Sequence, residues 1–353
     1  MLIIMIYYIR RNKMKRCVLI FITAILTSFL FSFVTYGEVA AALTEIMKPR
    51  SMAVDDSQLY ITEQTKVFIY SLKDFKLLKS FGEAGEGPGE FKTLPHVPVT
   101  VDVSTDRIIV SSMRKISYFT KKGEFINEVK AVNLALNLRL FGDRFVAWSQ
   151  ARTEGVIYNT ICLFDSQLNK LKELYRMEDS YQGQGRGYRV LHKVFTYVPY
   201  KDKLLLPGLD DAVIDIFDSQ MNKLLSIKLD QERRKVDSEF KDKLLNFYKT
   251  SPETRELYET HLKPLIFPDY FPAIADFFVD EGTVYIRTWK SENGASEFFT
   301  YDLNGKFIRR LFIPFQYETE LTAYPGMIKN GKLYQLVENE KKESWELHIS
   351  TIK

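Results

Sequence analysis

The heptapeptide FDSQLNK at residues 164–170 returns almost unchanged as FDSQMNK at residues 217–223. Its aspartate, amides and lysine are ordinary turn formers, and neither copy holds a set of side chains that could carry catalysis. The repetition itself is therefore the informative feature. The two copies lie 53 residues apart, and a period near 50 indicates stacked supersecondary units.

Weaker versions of this turn occur at YSLKDFKLLKSF from Tyr70, FTKKGEFINEV from Phe119 and YDLNGKFIRRLF from Tyr301. In each version an aromatic residue ends a β-rich run, turn formers follow, and an alternating apolar run comes next, which predicts a β-hairpin. The first four turns start 49, 45 and 53 residues apart. The next interval is 84 residues, which fits the period once an insertion of roughly 40 residues is removed.

Two more short strands precede each hairpin, so that each unit has four antiparallel strands. The first strands are predicted at residues 51–54, 99–103, 136–141, 195–198, 274–279 and 321–328, and the second strands at 59–61, 108–110, 145–147, 204–206, 284–286 and 333–336. Four-stranded units at this period are typical of β-propeller blades. We therefore predict an all-β, six-bladed β-propeller over residues 38–353, with a helical insertion between blades 4 and 5.

The sixth unit ends after its third strand, at residues 344–351. Its missing outer strand is predicted at residues 43–47, just ahead of the first unit, because pairing there would close the ring and remove two free sheet edges. The alternative is a sixth blade of three strands.

The segment GEGPGEF, which ends at Phe91 and follows KSFG, comes before a first strand that contains proline. It resembles the blade junction of NHL-type six-bladed propellers. The resemblance extends over roughly the whole chain after the N-terminal segment and is clearest in the first two units. It implies the propeller fold and a role as a binding scaffold, and it implies no reaction.

Residues 17–34, CVLIFITAILTSFLFSFV, form an apolar run without charge that five basic residues precede. Small residues follow at Gly37, Ala40 and Ala41, so residues 1–37 are predicted to be a cleaved signal peptide. The run also reaches the length of a membrane-spanning helix, and an N-terminal membrane anchor is the alternative. The protein is expected to be exported, periplasmic or extracellular. Met14 is an alternative start to Met1.

Charge and cysteine content exclude two classes of protein. The chain has 49 basic and 45 acidic residues, and the five basic residues of the N-terminal segment account for its positive balance, which leaves −1 for residues 38–353. A nucleic-acid partner would need a basic face, so none is expected. Beyond the N-terminal segment only Cys162 remains, which excludes an internal disulfide. We expect a monomer.

In a four-stranded meander, the connections from the second to the third strand and from one blade to the next share one face of the ring. Extended segments fall on this face, at residues 82–98, 150–156, 176–193, 208–212, 230–272 and 290–296. We name it the long-loop face; the opposite face has only tight turns. Long loops on a rigid scaffold commonly carry binding residues. The predicted residues for a protein, peptide or glycan ligand are Arg186, Tyr188, Arg189, His192, Tyr270 and Trp289.

The largest insertion, at about 230–272, is predicted to form two helices. Val236, Phe240 and Leu244 recur at helical spacing, and Ser251 followed by Pro252 has the form of an N-cap and first helical residue. We name residues 230–272 the cap. Its aromatic residues either pack it on the blades or let it act as a lid over a ligand.

No nucleophile and base can be paired from the sequence, so no catalytic residue is predicted. The glycines of GEAGEGPGEF lack the Lys-Ser/Thr ending of a phosphate-binding loop. Zinc could be held by His96, His192 and His261, and calcium in the tunnel by Asp210, Asp211 and Asp276, but no ligand spacing selects either set. The sequence thus predicts a non-enzymatic binding scaffold without a cofactor. The alternative is a metal-dependent hydrolase or lyase with its site in the central tunnel.

Overall fold

The computed structural model describes residues 37–352 apart from residues 94–96, 132–134, 184–185, 253 and 320. The predicted signal peptide or anchor lies outside these residues. No helix among the described residues is long and apolar enough to cross a membrane.

The described chain forms six antiparallel sheets of four strands, and each sheet is one blade of a propeller. The strands are given from the inside outwards. Blade 1 consists of Ser51–Val54, Gln58–Glu63, Lys66–Ser71 and Leu77–Phe81; blade 2 of Thr100–Val103, Arg107–Ser112, Lys115–Thr120 and Phe125–Lys130; and blade 3 of Leu136–Phe141, Arg144–Thr153, Val156–Phe164 and Lys170–Glu178. Blade 4 consists of Val198–Tyr200, Lys203–Pro207, Val213–Phe217 and Lys223–Lys228; blade 5 of Asp276–Asp280, Thr283–Glu292, Ala295–Asp302 and Phe307–Ile313; and blade 6 of Gly326–Lys329, Lys332–Asn339, Ser344–Thr351 and Glu38–Leu43. The predicted six-bladed, all-β fold is confirmed.

The innermost strands contact one another in sequence from blade 1 to blade 6 and back to blade 1. Behind them, six apolar cores lie between neighbouring blades, and each core takes side chains from two sheets. The core between blades 2 and 3, for example, joins Ile109 and Ile116 to Phe145 and Phe164, and all four side chains are buried. The blades are therefore held by burial of apolar surface between their faces.

The repeated heptapeptide forms the turn between the third and fourth strands. In the first copy, Asp165 Oδ1 accepts hydrogen bonds from the backbone N–H of Gln167 (2.9 Å) and of Asn169 (2.8 Å). Asp218 makes the same two bonds in the second copy, at 2.9 and 2.8 Å. The side-chain amides of Asn169 and Asn222 also donate to these aspartates, and this is the largest cause that lowers the pKa of Asp165 and Asp218. The backbone hydrogen bonds lower it further. The aspartate thus fixes the turn.

The fifth residue of each turn has a left-handed backbone. Its φ is 61° at Leu168 and 68° at Met221, and in blades 2 and 5 the position holds Gly123 (73°) and Gly305 (80°). The turn of blade 1 is one residue longer, and its left-handed residue is Phe75 (55°). The side chain of Leu168 enters the core between blades 2 and 3 and is 2% exposed. The repeat therefore encodes a turn that points an apolar side chain towards the preceding blade. Glycine also occurs at this position, because it adopts left-handed backbone without strain.

We expect Leu168→Ala to lower the free energy of unfolding by about 2–5 kcal/mol, because it removes a buried side chain from a packed core. Leu171→Ala is the matched control, since Leu171 lies in the following strand and is 54% exposed. Chemical denaturation of both variants measures the difference. Equal losses in the two variants would show that the turn does not join the blades.

The ring closes within blade 6, where Glu38–Leu43 pairs antiparallel with Ser344–Thr351. Closure by an N-terminal strand is confirmed, but the predicted position of that strand, residues 43–47, is wrong. Of that segment only Leu43 belongs to the strand; Ile46 is buried beneath it, and the Trp345 Nε1 donates to the carbonyl of Met47 (2.7 Å). Residues 44–47 thus form an anchored turn that leads the chain into blade 1.

Deleting residues 38–42 should lower the melting temperature by several degrees, because it removes four of the five paired positions of the closing strand and exposes an edge of blade 6. Deleting residues 43–47 should also destabilise the protein, through loss of buried Leu43 and Ile46. Differential scanning calorimetry of the two deletions tests both expectations. A melting temperature equal to that of the parent in the first deletion would mean that the closing strand adds nothing to stability.

The glycine-rich junction between blades 1 and 2 is a turn that is held by its own hydrogen bonds and by contacts with blade 2. Glu83–Ala84 pairs in parallel with Glu90–Phe91, and the Glu90 carboxylate accepts from the backbone N–H of Gly87 (2.9 Å). The buried Lys115 ammonium donates to the carbonyls of Gly87 (2.9 Å) and Glu90 (2.7 Å). At Gly82, where φ is 94°, a Cβ would lie 2.6 Å from the Phe91 ring. These contacts leave the segment locked against blade 2.

The cap begins with a helix, Ser238–Thr250, whose N-cap residue Asp237 accepts from the Phe240 N–H (2.8 Å). The second predicted helix starts later than expected. Ser251 is not its N-cap, since the helix begins at Arg255 with Thr254 in the N-cap position. Ser251 instead ends the first helix, where its N–H donates to the Phe247 carbonyl (2.9 Å). The second helix is a short α-helical turn, Arg255–Leu257, that continues as a π-helical turn, Tyr258–Leu262.

Two of the segments predicted as loops of the long-loop face are strand extensions. Arg144–Thr153 pairs with Val156–Phe164 up to Thr153↔Val156, which leaves a turn of two residues. Thr283–Glu292 and Ala295–Asp302 meet in the same way at Glu292↔Ala295. The prediction of loops at residues 150–156 and 290–296 is therefore wrong, because paired strands satisfy the backbone polar groups there.

Candidate functional site

A cavity of about 260 Å³ lies along the central channel, between the innermost strands of all six blades. Each blade contributes lining residues, among them Ser51, Thr100, Asn137, Thr196, Asp276 and Gly326. Since no blade alone contains this site, its chemistry depends on which side chains the ring brings together.

Three charged side chains line the channel: Asp102 from blade 2, Arg139 from blade 3 and Asp276 from blade 5. Each carboxylate accepts a hydrogen bond from the next backbone N–H of its own strand, Val103 on Asp102 (2.8 Å) and Phe277 on Asp276 (2.8 Å). Among the described residues, none of the three forms an ion pair within 4.0 Å. The channel thus holds charges that do not neutralise one another by direct contact.

Burial raises the pKa of Asp276 above its ordinary value of 3.8. The positive charges of Arg287 and Arg139 and the hydrogen bond from the Phe277 N–H act in the opposite direction, but burial outweighs them. The ionised carboxylate is therefore less stable here than in water.

Arg287 lies beside Asp276 on the neighbouring strand of blade 5 and is 5% exposed. Its guanidinium lies 4.7 Å from the Phe315 ring centre and 5.2 Å from that of Tyr317, and its Nη1 donates to the Tyr317 hydroxyl. The Nε of Arg287 has no hydrogen-bond partner. Aromatic rings therefore hold this cation in place between blades 5 and 6, beside the channel carboxylate.

Asn137 and Arg139 reach the channel from an irregular strand. The pairing of Leu136–Phe141 shifts register between Leu136 and Arg139, and Asn137 has a left-handed backbone with φ of 52°. The buried Tyr197 hydroxyl donates to the Asn137 carbonyl, and the Arg139 guanidinium lies 5.9 Å from the Tyr197 ring centre. A bulge changes the direction of side chains along a strand. Here the bulge lies at the two residues, Asn137 and Arg139, that bring polar groups to the channel.

We expect Asp276→Asn to stabilise the unliganded protein at neutral pH. A raised pKa means that the folded state loses stability as the pH rises from about 3.8 through the folded-state pKa, and the amide removes that loss. The gain in melting temperature should therefore grow as the pH rises through this interval and then level off, because it follows the ionisation of the folded-state carboxyl group. Asp143→Asn, at a side chain that is 95% exposed, is the control and should show no such growth. Destabilisation of Asp276→Asn at every pH would contradict this assignment.

The long-loop face is organised by a separate apolar core. Buried Val236, Phe240, Leu244 and Phe271 of the cap pack with Val190 and Leu191 of the segment 176–193, and half-buried Trp289 and Leu321 border the same core. This core therefore joins three successive blade junctions: the one from blade 3 to blade 4, the cap itself, and the one from blade 5 to blade 6. A parallel pairing of Tyr188–Arg189 with Leu265–Ile266 adds to the contact.

Gly187 is required where these two segments cross. Its φ is 78°, and a Cβ there would lie 2.7 Å from the Pro264 carbonyl oxygen and 2.9 Å from the Ile266 side chain. The neighbouring Tyr188 N–H donates to that same carbonyl (2.9 Å). A side chain at this position would separate the segment 176–193 from the cap.

Three of the six residues predicted for ligand binding are engaged within the protein. Tyr188 is half-buried against the cap core, and burial raises its pKa. Trp289 packs on Phe271 with ring centres 5.2 Å apart, and its Nε1 is buried without a hydrogen-bond partner. Arg189 forms an ion pair with Glu178 (2.7 Å).

The other three predicted residues lie at the surface. Arg186 and His192 are exposed, and the Tyr270 side chain is 50% exposed. Exposed apolar side chains also occur on this face, at Leu209 between the second and third strands of blade 4 and at Ile266 in the cap. The surface of the long-loop face thus combines aromatic, cationic and aliphatic groups.

Neither set of candidate metal ligands converges on one point in the structure. Asp211 forms an ion pair with Arg233 (2.5 Å), and Asp210 accepts from the Ala212 N–H (3.0 Å), while Asp276 lines the channel. His261 lies beside Tyr181, with ring centres 6.2 Å apart, and His96 is outside the described residues. Among the described residues, no three His, Cys, Asp or Glu side chains form a group that could hold a metal ion.

No family model matches the sequence, and no curated protein matches it. Among solved structures, a protein of Bacteroides fragilis NCTC 9343 that is named as exported has 12% identity and a TM-score of 0.46, over 89% of this chain and 97% of its own. A DUF4221-family member from Bacteroides vulgatus ATCC 8482 has the same identity and TM-score, over 89% and 95%. A luciferin-regenerating enzyme has 10% identity and a TM-score of 0.43, over 90% and 94%. The similarities concern the fold, and membership of the NHL-type family stays a prediction.

Proposed function

We propose that this protein is an exported, non-enzymatic binding scaffold that uses its long-loop face to hold a protein, peptide or glycan partner. One observation carries the proposal: on the long-loop face, the cap, the segment 176–193 and the connection at Leu321 share a core of their own. The six cores between blades already hold the ring together. An additional apolar core on one face therefore suggests that this face has a role beyond stability.

The chemistry of the exposed groups suits a macromolecular partner. Tyr270 offers a ring with a polar hydroxyl, and Arg186 offers a planar cation that can donate to carboxylates or carbonyls. His192 lies on the same segment, 176–193, which the cap core holds in position. Rigid support lowers the entropic cost of binding, so these side chains are preorganised for contact.

The proposed location outside the cytoplasm rests on the N-terminal segment. Its basic residues and its apolar run at residues 17–34 favour export, either with cleavage of the signal or with retention as an anchor. N-terminal sequencing of the protein from cells distinguishes the two. The NHL-type resemblance of the first two blades agrees with a scaffold role.

The alternative function is a metal-dependent hydrolase or lyase whose site lies in the channel. Asp102 and Asp276 would be its acidic ligands. Metal analysis of the purified protein distinguishes this alternative: stoichiometric calcium or zinc, with loss of stability on chelation, would favour it over the scaffold.

The scaffold proposal is tested by selecting ligands from a random peptide library and a glycan array. We expect ligands whose affinity falls at least about tenfold in the combined variant Arg186→Ala, His192→Ala, Tyr270→Ala, because aromatic and arginine contacts dominate such interfaces. The parent and the variant should melt at the same temperature, since all three side chains are at the surface.

Asp165→Ala and Asp218→Ala, on the opposite face, are the controls and should leave binding unchanged. Hydrogen exchange with a selected ligand locates its contact. Protection confined to the turns around Asp165 and Asp218, with no change on the long-loop face, would refute the proposal, as would the absence of any ligand that depends on the three residues.

A further inference from the structure

The channel carries an electrostatic feature that a structural role does not explain. Asp102, Arg139 and Asp276 face one cavity from three different blades, and none of them forms an ion pair with another described residue. All three side chains are partly buried, and a partly buried charge without an ion-pair partner is costly unless water or a ligand solvates it.

We propose that the central channel binds a small amino acid with a cationic side chain, whose carboxylate contacts Arg139 and whose two cationic groups contact Asp102 and Asp276. The proposal does not depend on the function assigned to the long-loop face. The two sites differ in ligand size and in the residues that form them.

The charges of the lining decide the class of ligand. Two carboxylates and one guanidinium are complemented by two cations and one carboxylate, which are the groups of a free basic amino acid. A simple diamine would leave Arg139 without a partner, and an acidic amino acid would place a second carboxylate against Asp102 or Asp276. Each mismatch leaves a charge unpaired in the channel and so weakens binding.

The size of the cavity agrees with a ligand of this class. Its volume of about 260 Å³ is below the range of about 300–1,000 Å³ that is usual for sites of drug-sized ligands. Methionines 52 and 327 and Phe278 supply apolar lining for a hydrocarbon side chain. Asn137 and Thr196 add neutral polar groups next to the three charges.

The fixed position of Arg287 supports the assignment of Asp276. This cation is held by Phe315 and Tyr317 rather than by the carboxylate, so Asp276 keeps an oxygen for a ligand. A ligand ammonium would replace the water that the ionised carboxylate loses on burial. In the unliganded site, Asp276 therefore has no cationic partner in direct contact and Arg139 has no anionic one.

Isothermal titration calorimetry on the full-length protein tests the proposal with three probes: L-lysine, pentane-1,5-diamine and L-glutamate. L-lysine should bind, and the other two should bind at least about tenfold more weakly, because each leaves an unpaired charge. Arg139→Gln should abolish the preference for L-lysine over the diamine. Asp276→Asn should weaken L-lysine binding about tenfold or more.

Asp143→Asn and Arg152→Gln remove one charge each at exposed positions and are the matched controls. Asp102→Asn should weaken L-lysine binding in the same way and serves as an independent second variant of the channel. The proposal is overturned if L-lysine does not bind at millimolar concentration, if the diamine or glutamate binds as tightly, or if the channel variants bind like the controls. Each result is independent of peptide or glycan binding by the long-loop face.

Discussion

The packing of neighbouring blades face to face is the interaction on which this protein depends. Each of the six cores is shared by two sheets, so a blade buries both of its faces only when it has a neighbour on each side. A ring is the arrangement that supplies both neighbours to every blade. It also brings the six innermost strands around one narrow channel. The antiparallel strand order within each blade then places the connections between blades on the long-loop face. The two candidate sites are therefore products of the same packing.

The features that local chemistry determines could be predicted from the sequence. The Asp165 and Asp218 turns, the blade period and most strand centres depend on a few neighbouring residues. Strand ends and the closing strand could not be placed as well. Glu38–Leu43 reads EVAAAL, with few strand-forming residues, so its pairing comes from the edge offered by Ser344–Thr351. Ser251 fails as a helix start for a related reason: the preceding helix extends up to it, and the second helix begins only at Arg255.

The candidate sites were harder to predict than the fold because they join residues from distant parts of the chain. Tyr188 and Trp289 have the composition of a binding surface, yet the cap core engages both. The opposite error affects the channel. Asp102 lies in a regular short strand and Arg139 in one with an irregular register, and the sequence context marks neither of them. Only ring closure brings both residues to the channel that Asp276 lines. In the sequence, Asp276 is equivalent to the acidic candidates Asp210 and Asp211.

The composition of the sixth blade has a consequence for folding. The Trp345 indole and the Met47 carbonyl that it contacts are 298 residues apart in the chain. During synthesis from the N-terminus, the strand Glu38–Leu43 therefore waits for its partner until almost the whole chain is made. Assembly of this blade must be non-local and slow compared with the hairpins. The alanines of EVAAAL suit this delay, because a weak strand former is slow to pair with the wrong edge while the correct one is missing.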